Sequence, residues 1–381
     1  MHRLVSFLVL TLVAAPACLP GAQGGSGSAP RPSASIAAAP SPAPTPSPTP
    51  AALSLNSLFH PGAAVPQDPA HVRTMIATGD VIPARLVNVA ATQRHDYLFP
   101  FRPTADQVRS ADVTFINLES PLLPGCQPQS TGMVFCGDVR FVDGLKLIGA
   151  KVVNLANNHV YAGPDTERTK ALLEQNGMQV ATNLGAPVVV DIRGLKVAFI
   201  GCNAVTSGPP VDRKALQAAI EHARQLADVV VVQFHWGHEY VRQPVVAPGV
   251  APDDPIELGH LAIDAGADMV VGNHPHWVQG LEVYKNHLIT YAHGNYVFDQ
   301  VNCFPSIGSD YQTYCSDDTR TSVVGTYTFY DNRLVAASWK PTFIDTSLQT
   351  QWADPTRSQQ VLKTMEEASV QLAQKQGEPT S

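Results

Sequence analysis

Six short runs rich in valine and isoleucine, separated by stretches of helical pattern, constrain the fold of this 381-residue chain most strongly. The runs lie at residues 72–78, 112–117, 151–155, 196–200, 228–234 and 268–271. Such continuous apolar runs are typical of strands buried on both faces, as in parallel sheets covered by helices. Helical patterns lie between or near them at 104–109, 138–148, 164–176, 214–226 and 255–265. This alternation predicts an α/β fold.

The pattern changes towards the carboxyl end of the chain. Segments that predict antiparallel strands lie at 281–284, 288–293, 322–330 and 334–341. Asp331 and Asn332 predict a hairpin turn between the last two. Residues 359–376 predict a terminal helix followed by a polar tail.

Polar residues with metal-binding side chains follow the predicted strands. They are Asp80, Glu119, Asn158, His159, His235, His274 and His276. Ligands of α/β sheets gather at the carboxyl ends of the strands, so we expect these side chains to share one site. Carboxylate, amide and imidazole groups together suit a divalent metal such as Mn, Zn or Fe(II). The sequence therefore predicts a centre for one or two such ions.

Each of these residues also has a purely structural explanation. Asp80 follows Gly79 and could cap a turn, and Glu119 could cap the element that follows it. Asn158 could satisfy its own loop, and His235 beside Trp236 could be a packed core histidine. The occurrence of all of them at strand ends favours the functional interpretation.

The amino-terminal residues have the features of an export signal. His2 and Arg3 precede an apolar run at 4–15, and Ala15-Pro16-Ala17 fits a small-residue cleavage site, which predicts a signal peptide at 1–17. Cys18 follows directly, as the acylated cysteine of a bacterial lipoprotein does. The alternative is ordinary secretion, with Cys18 free or paired. Both predict an extracytoplasmic protein of the cell envelope, and the first predicts membrane association through a lipid anchor.

A linker rich in Pro, Ser and Ala is predicted at 18–55, since this composition cannot build a core. Such a tether would hold the folded domain away from the membrane surface. The folded domain is predicted at 72–345, with a helix and tail at 346–381.

The cysteines fit an oxidising compartment. Cys126 and Cys136 bracket one short loop, and Cys303 and Cys315 bracket another, so each pair predicts a loop-closing disulfide. Cys202 ends an apolar run and predicts a buried thiol.

Net charge excludes one class of partner. The formal charge is −7, and the first 55 residues contain only Arg3 and Arg31 as charged groups. The remainder has 23 basic and 32 acidic residues, a net charge of −9. This balance argues against nucleic-acid binding through a broad basic patch.

Six motifs that occur in order resemble those of the bacterial CapA family, the poly-γ-glutamate biosynthesis or capsule synthesis proteins. They are Gly79-Asp80-Val-Ile-Pro-Ala-Arg85, Asn117-Leu-Glu119-Ser-Pro121, Leu155-Ala-Asn157-Asn158-His159, His235-Trp-Gly-His-Glu239-Tyr240, Gly272-Asn-His274-Pro-His276 and Tyr291-Ala-His-Gly294-Asn295-Tyr-Val-Phe298-Asp299. The resemblance covers about residues 72–345. That family is similar to calcineurin-like metallophosphoesterases, so it implies a four-layer α/β/β/α sandwich, like that of metallo-dependent phosphatases, with a two-metal centre.

The resemblance also implies roles for single residues. One metal site would consist of Glu119, Asn158, His235 and His274. The other would keep Asp80, Glu119 and His276, but Ile82 stands where the family pattern of metallophosphoesterases has a further histidine. His159 would act as a general acid or from the outer shell, and Arg85 could contact an anion in place of the missing cation. The candidates for substrate binding are Asn117, Asn157, Glu239 and Asn295.

Two functions follow from this resemblance. The first is an envelope-anchored accessory protein for the synthesis or export of capsule or poly-γ-glutamate, binding the polymer or a membrane synthase partner. The alternative is a metal-dependent hydrolase of the calcineurin-like superfamily that cleaves phosphoesters or the polymer with metal-activated water. An anionic polymer would require the metal, with Arg85, Arg102 and Arg140, to make the cleft locally positive.

Overall fold

The computed structural model describes residues 52–61, 68–130, 132–160, 163–301 and 316–377. In chain order the strands are β1 (Val72–Val81), β2 (Val113–Leu118), β3 (Leu122–Leu123), β4 (Gly137–Asp138), β5 (Ala150–Asn154), β6 (Gln179–Ala181), β7 (Val188–Ile192), β8 (Leu195–Asn203), β9 (Val229–His235), β10 (Met269–Asn273), β11 (Leu281–Tyr284), β12 (His287–Thr290), β13 (Asn295–Val297), β14 (Thr321–Tyr330), β15 (Arg333–Ile344) and β16 (Thr350–Trp352). The helices are α1 (Leu55–Phe59), α2 (Arg85–Arg94), α3 (Ala105–Val108), α4 (Phe141–Leu147), α5 (Pro164–Gln175), α6 (Arg213–Leu226), α7 (Pro255–Asp264) and α8 (Pro355–Gln376).

The strands form two large sheets, each with a parallel centre. The first sheet has the order β16-β15-β14-β1-β2-β5-β6, and β13 pairs with the end of β1. In it β1, β2, β5 and β6 are parallel, whereas β14 is antiparallel to β1 and β15 is antiparallel to β14. The second sheet has the order β11-β12-β10-β9-β8-β7, with β8, β9, β10 and β12 parallel. The strands β3 and β4 form a separate pair.

Three apolar cores define the layers. Between the sheets, Phe115 of β2 packs against Phe199 of β8 with ring centroids 4.8 Å apart. The outer face of the first sheet is covered by α2 to α5, through side chains such as Phe141 and Leu173. The outer face of the second sheet is covered by α6 and α7, through Leu216, Leu258 and their neighbours. The layers therefore follow the order α/β/β/α, which confirms the predicted fold class.

All six predicted strands and all five predicted central helices are present. Helix α2 was not predicted, because it begins after Ala84 without a side-chain cap and carries β-branched residues in its first turns. The prediction of purely antiparallel pairing after residue 280 was incomplete. Strand β12 pairs antiparallel with β11 but parallel with β10, and β13 is parallel with β1.

Residues on both sides of the predicted domain pack onto it. Helix α1 begins with a capping box at Ser54, and its Leu55 and Leu58 are buried in the core between the sheets. Strand β16 extends the first sheet through β15. Helix α8 is capped by Asp354 and buries Met365 in the core between the sheets. The compact unit is therefore larger than the predicted domain of 72–345.

Cys126 and Cys136 form a disulfide, as predicted. Cys202 is a free, buried cysteine, and burial raises the pKa of its thiol. The predicted signal peptide, Cys18, the linker up to residue 51 and the pair Cys303 and Cys315 lie outside the described residues. Among the residues that are described, no helix combines the length and apolar character needed to cross a bilayer.

Candidate metal centre

The carboxyl ends of the parallel strands in the two sheets meet at Asp80 of β1. Its Oδ1 atom accepts hydrogen bonds from Nδ2 of Asn117 and Nδ2 of Asn273, each 2.8 Å long. Asn117 belongs to β2 of the same sheet, whereas Asn273 ends β10 of the other. All three side chains are buried. Asp80 therefore joins the two sheets at the edge where the predicted site residues gather.

The backbone is closely packed at the end of β10, just before His274 and His276. A Cβ atom on Gly272 would lie 2.0 Å from the carbonyl oxygen of Tyr291 and 2.5 Å from Nε1 of Trp236. His274 and His276 both adopt positive φ, at 97° and 58°. This conformation is uncommon for residues with side chains and is found where the surrounding structure enforces it, often at functional sites.

Glu119 lies in the centre of the cluster and is fully buried. Its Oε1 atom lies 3.3 Å from Nε2 of His235 and 3.9 Å from Nε2 of His159. The same Nε2 atom of His235 is 2.9 Å from Oδ1 of Asn158. The His235 and His274 rings have centroids 4.7 Å apart. The residues predicted for the first metal site are thus close together.

The hydrogen-bonding state of these groups tests whether they fit a cation. Within the described part of the chain, neither carboxylate oxygen of Glu119 and neither ring nitrogen of His274 has a hydrogen-bond partner. Both side chains are fully buried. A buried polar group without a partner typically costs about 1–3 kcal/mol, and more if it is charged. A divalent cation would compensate these groups, so the residues present fit one.

Three overlapping sets of side chains could hold an ion. They are Glu119 with His235 and His274, Asp80 with Glu119 and His276, and Glu239 with His274 and His276. In each set the donor atoms lie within 4.8 Å of one another. The first two agree with the sites implied by the family resemblance. The third was not foreseen, since Glu239 was predicted to bind substrate.

The position of the missing histidine is apolar. The Ile82 side chain is fully buried in a cluster with Ala84, Phe135, Phe298 and Ile344. Isoleucine has no donor atom, so this position adds no ligand to the second set.

Burial and charge give the histidines different proton affinities. Burial lowers the pKa of His274 well below its ordinary value, and His235 and His276 lower it further, which favours the neutral imidazole that binds metals. Burial also lowers the pKa of His276, but its contact with Asp80 and the charge of Glu119 raise it to about 9. For Asp80, burial raises the pKa, but the contact with His276, the charge of His235 and the hydrogen bond from Asn117 together outweigh this effect, so the pKa is lowered.

His159 lies beside the cluster under an aromatic ring. Phe135 stacks on its imidazole with centroids 3.9 Å apart, and burial lowers the pKa of His159 to about 4. Phe135 directly precedes Cys136 of the disulfide. Sequence analysis missed Phe135, and its position beside a predicted disulfide was the available signal.

Arg85, predicted to contact an anion, is already paired. Its guanidinium forms a two-pronged ion pair with Asp299 and lies against the rings of Phe135 and Phe298, 4.9 and 4.8 Å from their centroids. Its Nη1 donates to the carbonyl of Gly132 over 3.3 Å. A substrate anion would therefore compete with Asp299 for this side chain.

Three of the predicted substrate-binding residues are buried, with their amides in internal hydrogen bonds. Asn157 Oδ1 accepts from the backbone N–H groups of His159 and Val160, over 3.1 and 2.9 Å. Asn117 holds Asp80, and Asn295 Oδ1 lies 2.8 Å from Nδ1 of His276. This is the environment of residues that orient ligands.

A cavity of about 390 Å³ adjoins the cluster at Asn158. Its lining is uncharged and comprises Asn158, Asn203, Val205, Thr206, Ser207, Gly249 and Val250. It offers hydrogen-bonding groups to a ligand beside the candidate ions.

Residues 74–300 match the family described as "Bacterial capsule synthesis protein PGA_cap". The chain belongs to this family. The matched region contains every candidate ligand from Asp80 to His276, so the cluster lies within the family's common domain.

Curated relatives agree with this assignment. The chain is 30% identical over 254 residues to "Capsule biosynthesis protein CapA" of Bacillus anthracis, covering 60% of each chain. It is 28% identical over 251 residues to "PGA biosynthesis protein CapA" of Bacillus subtilis, covering 58% of this chain and 62% of that one. The chain thus matches about three fifths of the length of these relatives. A solved structure of a hypothetical protein from Thermus thermophilus is 18% identical, covers 70% of this chain and 98% of its own, and has a TM-score of 0.45.

Proposed function

We propose that this family member acts in the cell envelope in the synthesis or export of a capsule-type polymer such as poly-γ-glutamate, and that its buried cluster holds one or two divalent cations, Mn, Zn or Fe(II). The observation that carries the metal proposal is the pair of fully buried groups without hydrogen-bond partners in the described chain, Glu119 and His274. The polymer proposal is supported by the description of the matched family as capsule synthesis proteins and by the names of the CapA relatives.

The residues that would hold the first cation are Glu119, Asn158, His235 and His274. When bound, a divalent cation supplies Lewis-acid activation and lowers the pKa of water. Asn117 and Asn157 keep the ligand-bearing segments in place through buried hydrogen bonds. The Phe135 ring covers one side of His159 and limits its access to water.

The cations would also supply the charge that an anionic polymer needs. The three arginines predicted to make the cleft positive are all paired with carboxylates, Arg85 with Asp299, Arg102 with Asp96 and Arg140 with Asp138. A carboxylate-rich polymer would then bind through the ions, with the uncharged cavity at Asn158 accepting its amide groups.

A metal-dependent hydrolase is the second candidate. The observation that favours it is the placement of His159, whose Nε2 lies 3.9 Å from Oε1 of Glu119 at the edge of the cluster. At this distance His159 could exchange a proton with a substrate held at the first cation.

Metal content is the test of the proposed centre. The purified chain would be analysed by elemental mass spectrometry beside the double variant His235→Ala/His274→Ala. We expect one or two transition ions per chain, lost in the variant. An ion-free protein after reconstitution with Mn, Zn and Fe(II) would contradict the metal centre.

The His159→Ala variant separates the two candidate functions. An accessory protein should retain polymer affinity in part when this change is introduced, with no product released. A hydrolase should release product from a phosphoester or the polymer, and His159→Ala should abolish that release with metal content unchanged.

Membrane attachment through Cys18 and contact with a membrane synthase are further parts of the proposal. They are supported by the order of signal-like segment, cysteine and Pro-rich tether in the sequence. An intact-mass spectrum of the mature protein should show acyl addition at Cys18, and the unmodified mass would leave ordinary secretion.

A further inference from the structure

We propose that Glu239 is a metal ligand, and that with His274 and His276 it forms the second cation position. This position would replace the one implied by the family resemblance, which lacks a ligand because Ile82 stands where a histidine is expected. The inference rests on the proposed metal centre. It differs from the pattern implied by the family resemblance, in which Asp80 would be the carboxylate of that position.

Asp80 is poorly available as a ligand. Its Oδ1 atom already accepts two hydrogen bonds, from Asn117 and Asn273. Its Oδ2 atom faces the backbone N–H of His274 at 3.3 Å and Nδ1 of His276 at 3.4 Å. These contacts make Asp80 an anchor that orients the loop after β10.

Glu239 has the opposite surroundings. Its Oε1 atom lies 3.9 Å from Nε2 of His274 and 4.0 Å from Nε2 of His276. Two atoms that bind one ion at about 2.0–2.2 Å can be at most about 4.4 Å apart, so these distances allow a shared ion. The Glu239 side chain is 34% exposed, which leaves this position reachable from solvent.

The two histidines present suitable nitrogen atoms. His274 is fully buried, and its ring nitrogens have no hydrogen-bond partner in the described chain. His276 has its Nδ1 atom at 2.8 Å from Oδ1 of Asn295, which leaves Nε2 directed towards Glu239. A hydrogen bond on the far ring nitrogen is the usual way in which a protein orients a metal-binding histidine.

The backbone holds Glu239 over the pair. The N–H of Trp236 donates to the carbonyl of Asn273 over 3.2 Å, and the N–H of Tyr240 donates to that of Pro275 over 2.8 Å. Gly237 and Tyr240 adopt positive φ and form the turn between these contacts. The loop geometry therefore depends on main-chain contacts, and a change of the Glu239 side chain leaves them intact.

A carboxylate with two imidazoles and remaining open positions is a ligand set that suits Fe(II), and Mn and Zn also accept these groups. An ion at this position could bind a polymer carboxylate directly, because the Glu239 side chain is partly exposed and solvent reaches the position from that side. The second ion would then serve substrate binding, while the first remains buried at Glu119. His274 would serve both positions, one through each of its two unpartnered ring nitrogens, and would release its ring proton to solvent when both ions are bound, because a neutral imidazole has only one free lone pair.

The test is the metal stoichiometry and affinity of Glu239→Gln, a variant of the same size without the charge. Metal-free protein would be titrated with Mn(II) by calorimetry, and the ions retained after gel filtration counted by elemental mass spectrometry. The control is Glu257→Gln, an exposed glutamate paired with Arg213. Glu239→Asp, which withdraws the carboxylate by one methylene, provides a graded second variant.

We expect the wild type and Glu257→Gln to bind two ions. Glu239→Gln should retain one ion after gel filtration, and its affinity for the second ion should fall at least about tenfold. Changes of outer-shell residues already lower metal affinity about 10–100-fold. Glu239→Asp should be intermediate. Equal stoichiometry and affinity in Glu239→Gln and wild type would overturn this inference and leave the first site intact. A wild type without any ion would instead overturn the proposed centre, and equal unfolding temperatures of the metal-free proteins would show that folding is unchanged.

Discussion

The Oε1 atom of Glu119 lies 3.3 Å from Nε2 of His235, and neither oxygen of this buried carboxylate accepts a hydrogen bond within the described chain. Glu119 follows β2 of the first sheet and His235 ends β9 of the second, so the contact spans the two sheets. A charged group in this position is costly unless a cation or a donor compensates it.

Glu119→Gln should therefore remove the stabilisation that the first ion gives to the fold. At a free ion concentration about 100 times its dissociation constant, this one ion should add about 2.7 kcal/mol to the free energy of unfolding of the wild type. Thermal unfolding with and without Mn(II) measures this gain. The variant should show little of it, and Glu257→Gln should show it in full. A full gain in Glu119→Gln would contradict the ligand role.

Gly272→Ala should destabilise the protein severely. The added Cβ would lie 2.0 Å from a backbone oxygen, which cannot move aside as a flexible side chain could. We expect a loss of more than about 3 kcal/mol in free energy of unfolding, measured by urea denaturation. Gly208→Ala is the control, because its Cβ would meet only the Thr206 hydroxyl at 3.1 Å. Near-equal stability of the two variants would contradict the packing described for β10.

Asn157→Ala should loosen the segment that carries Asn158 and His159. It removes the acceptor of two backbone N–H groups and a donor to the carbonyl of Leu118. We expect a loss of about 1–3 kcal/mol in free energy of unfolding and weaker metal binding. The control is Gln359→Ala, at an exposed position on α8, which should change the free energy of unfolding by no more than about 0.5 kcal/mol. Unchanged stability would show that the amide faces water or substrate.

His293 should make stability depend on pH. Burial lowers its pKa to about 4. Its Nδ1 faces the carbonyl oxygen of Thr78 at 3.3 Å, so in the neutral ring Nδ1 donates there and Nε2 accepts from the Tyr327 hydroxyl over 2.8 Å. In the unfolded chain the histidine pKa is about 6.5, so as pH falls the unfolded state binds the proton first. The contribution of His293 to the free energy of unfolding is therefore complete above that pH and is lost as pH falls towards 4. The full effect is on the order of 3 kcal/mol.

His293→Gln tests this effect, because glutamine remains neutral. The free energy of unfolding, measured from about pH 7 to pH 4 in wild type and variant, should fall less in the variant. The comparison between the two curves isolates His293 from the other buried histidines whose pKa is lowered, which act in the same direction. Parallel curves would contradict a buried, neutral His293.

Breaking the disulfide should affect stability more than metal content. Cys126→Ser with Cys136→Ser opens a loop of about ten residues, and we expect a loss of about 3 kcal/mol in free energy of unfolding. Phe135 should then leave the His159 ring, while the ligands on β9 and β10 stay in place. Elemental analysis should find the same number of ions, and their loss would place this loop within the metal centre.

The sequence analysis predicted the candidate centre from strand ends, and the physical reason is general. Parallel strands place their carboxyl ends at one edge of a sheet, so Asp80, Glu119 and Asn158 had to lie close together once β1, β2 and β5 were recognised. The same reasoning applies to His235 and His274 in the second sheet. Continuous valine and isoleucine runs were enough to identify these strands.

The roles within the cluster depended on contacts between segments far apart in sequence. Asp80 became an anchor because Asn117 and Asn273, on different sheets, both donate to its Oδ1. Arg85 is paired because Asp299 follows β13, which lies beside β1. Residue type and local pattern carry no information on which oxygen is already bonded.

By itself the sequence determined the α/β fold class, the edge at which polar residues gather, and their suitability for a divalent metal, because hydrophobic periodicity and residue chemistry are local properties. Only the tertiary structure decided that Glu239 faces His274 and His276. That placement depends on the hydrogen bond from Tyr240 to Pro275 between two loops, which no local pattern encodes.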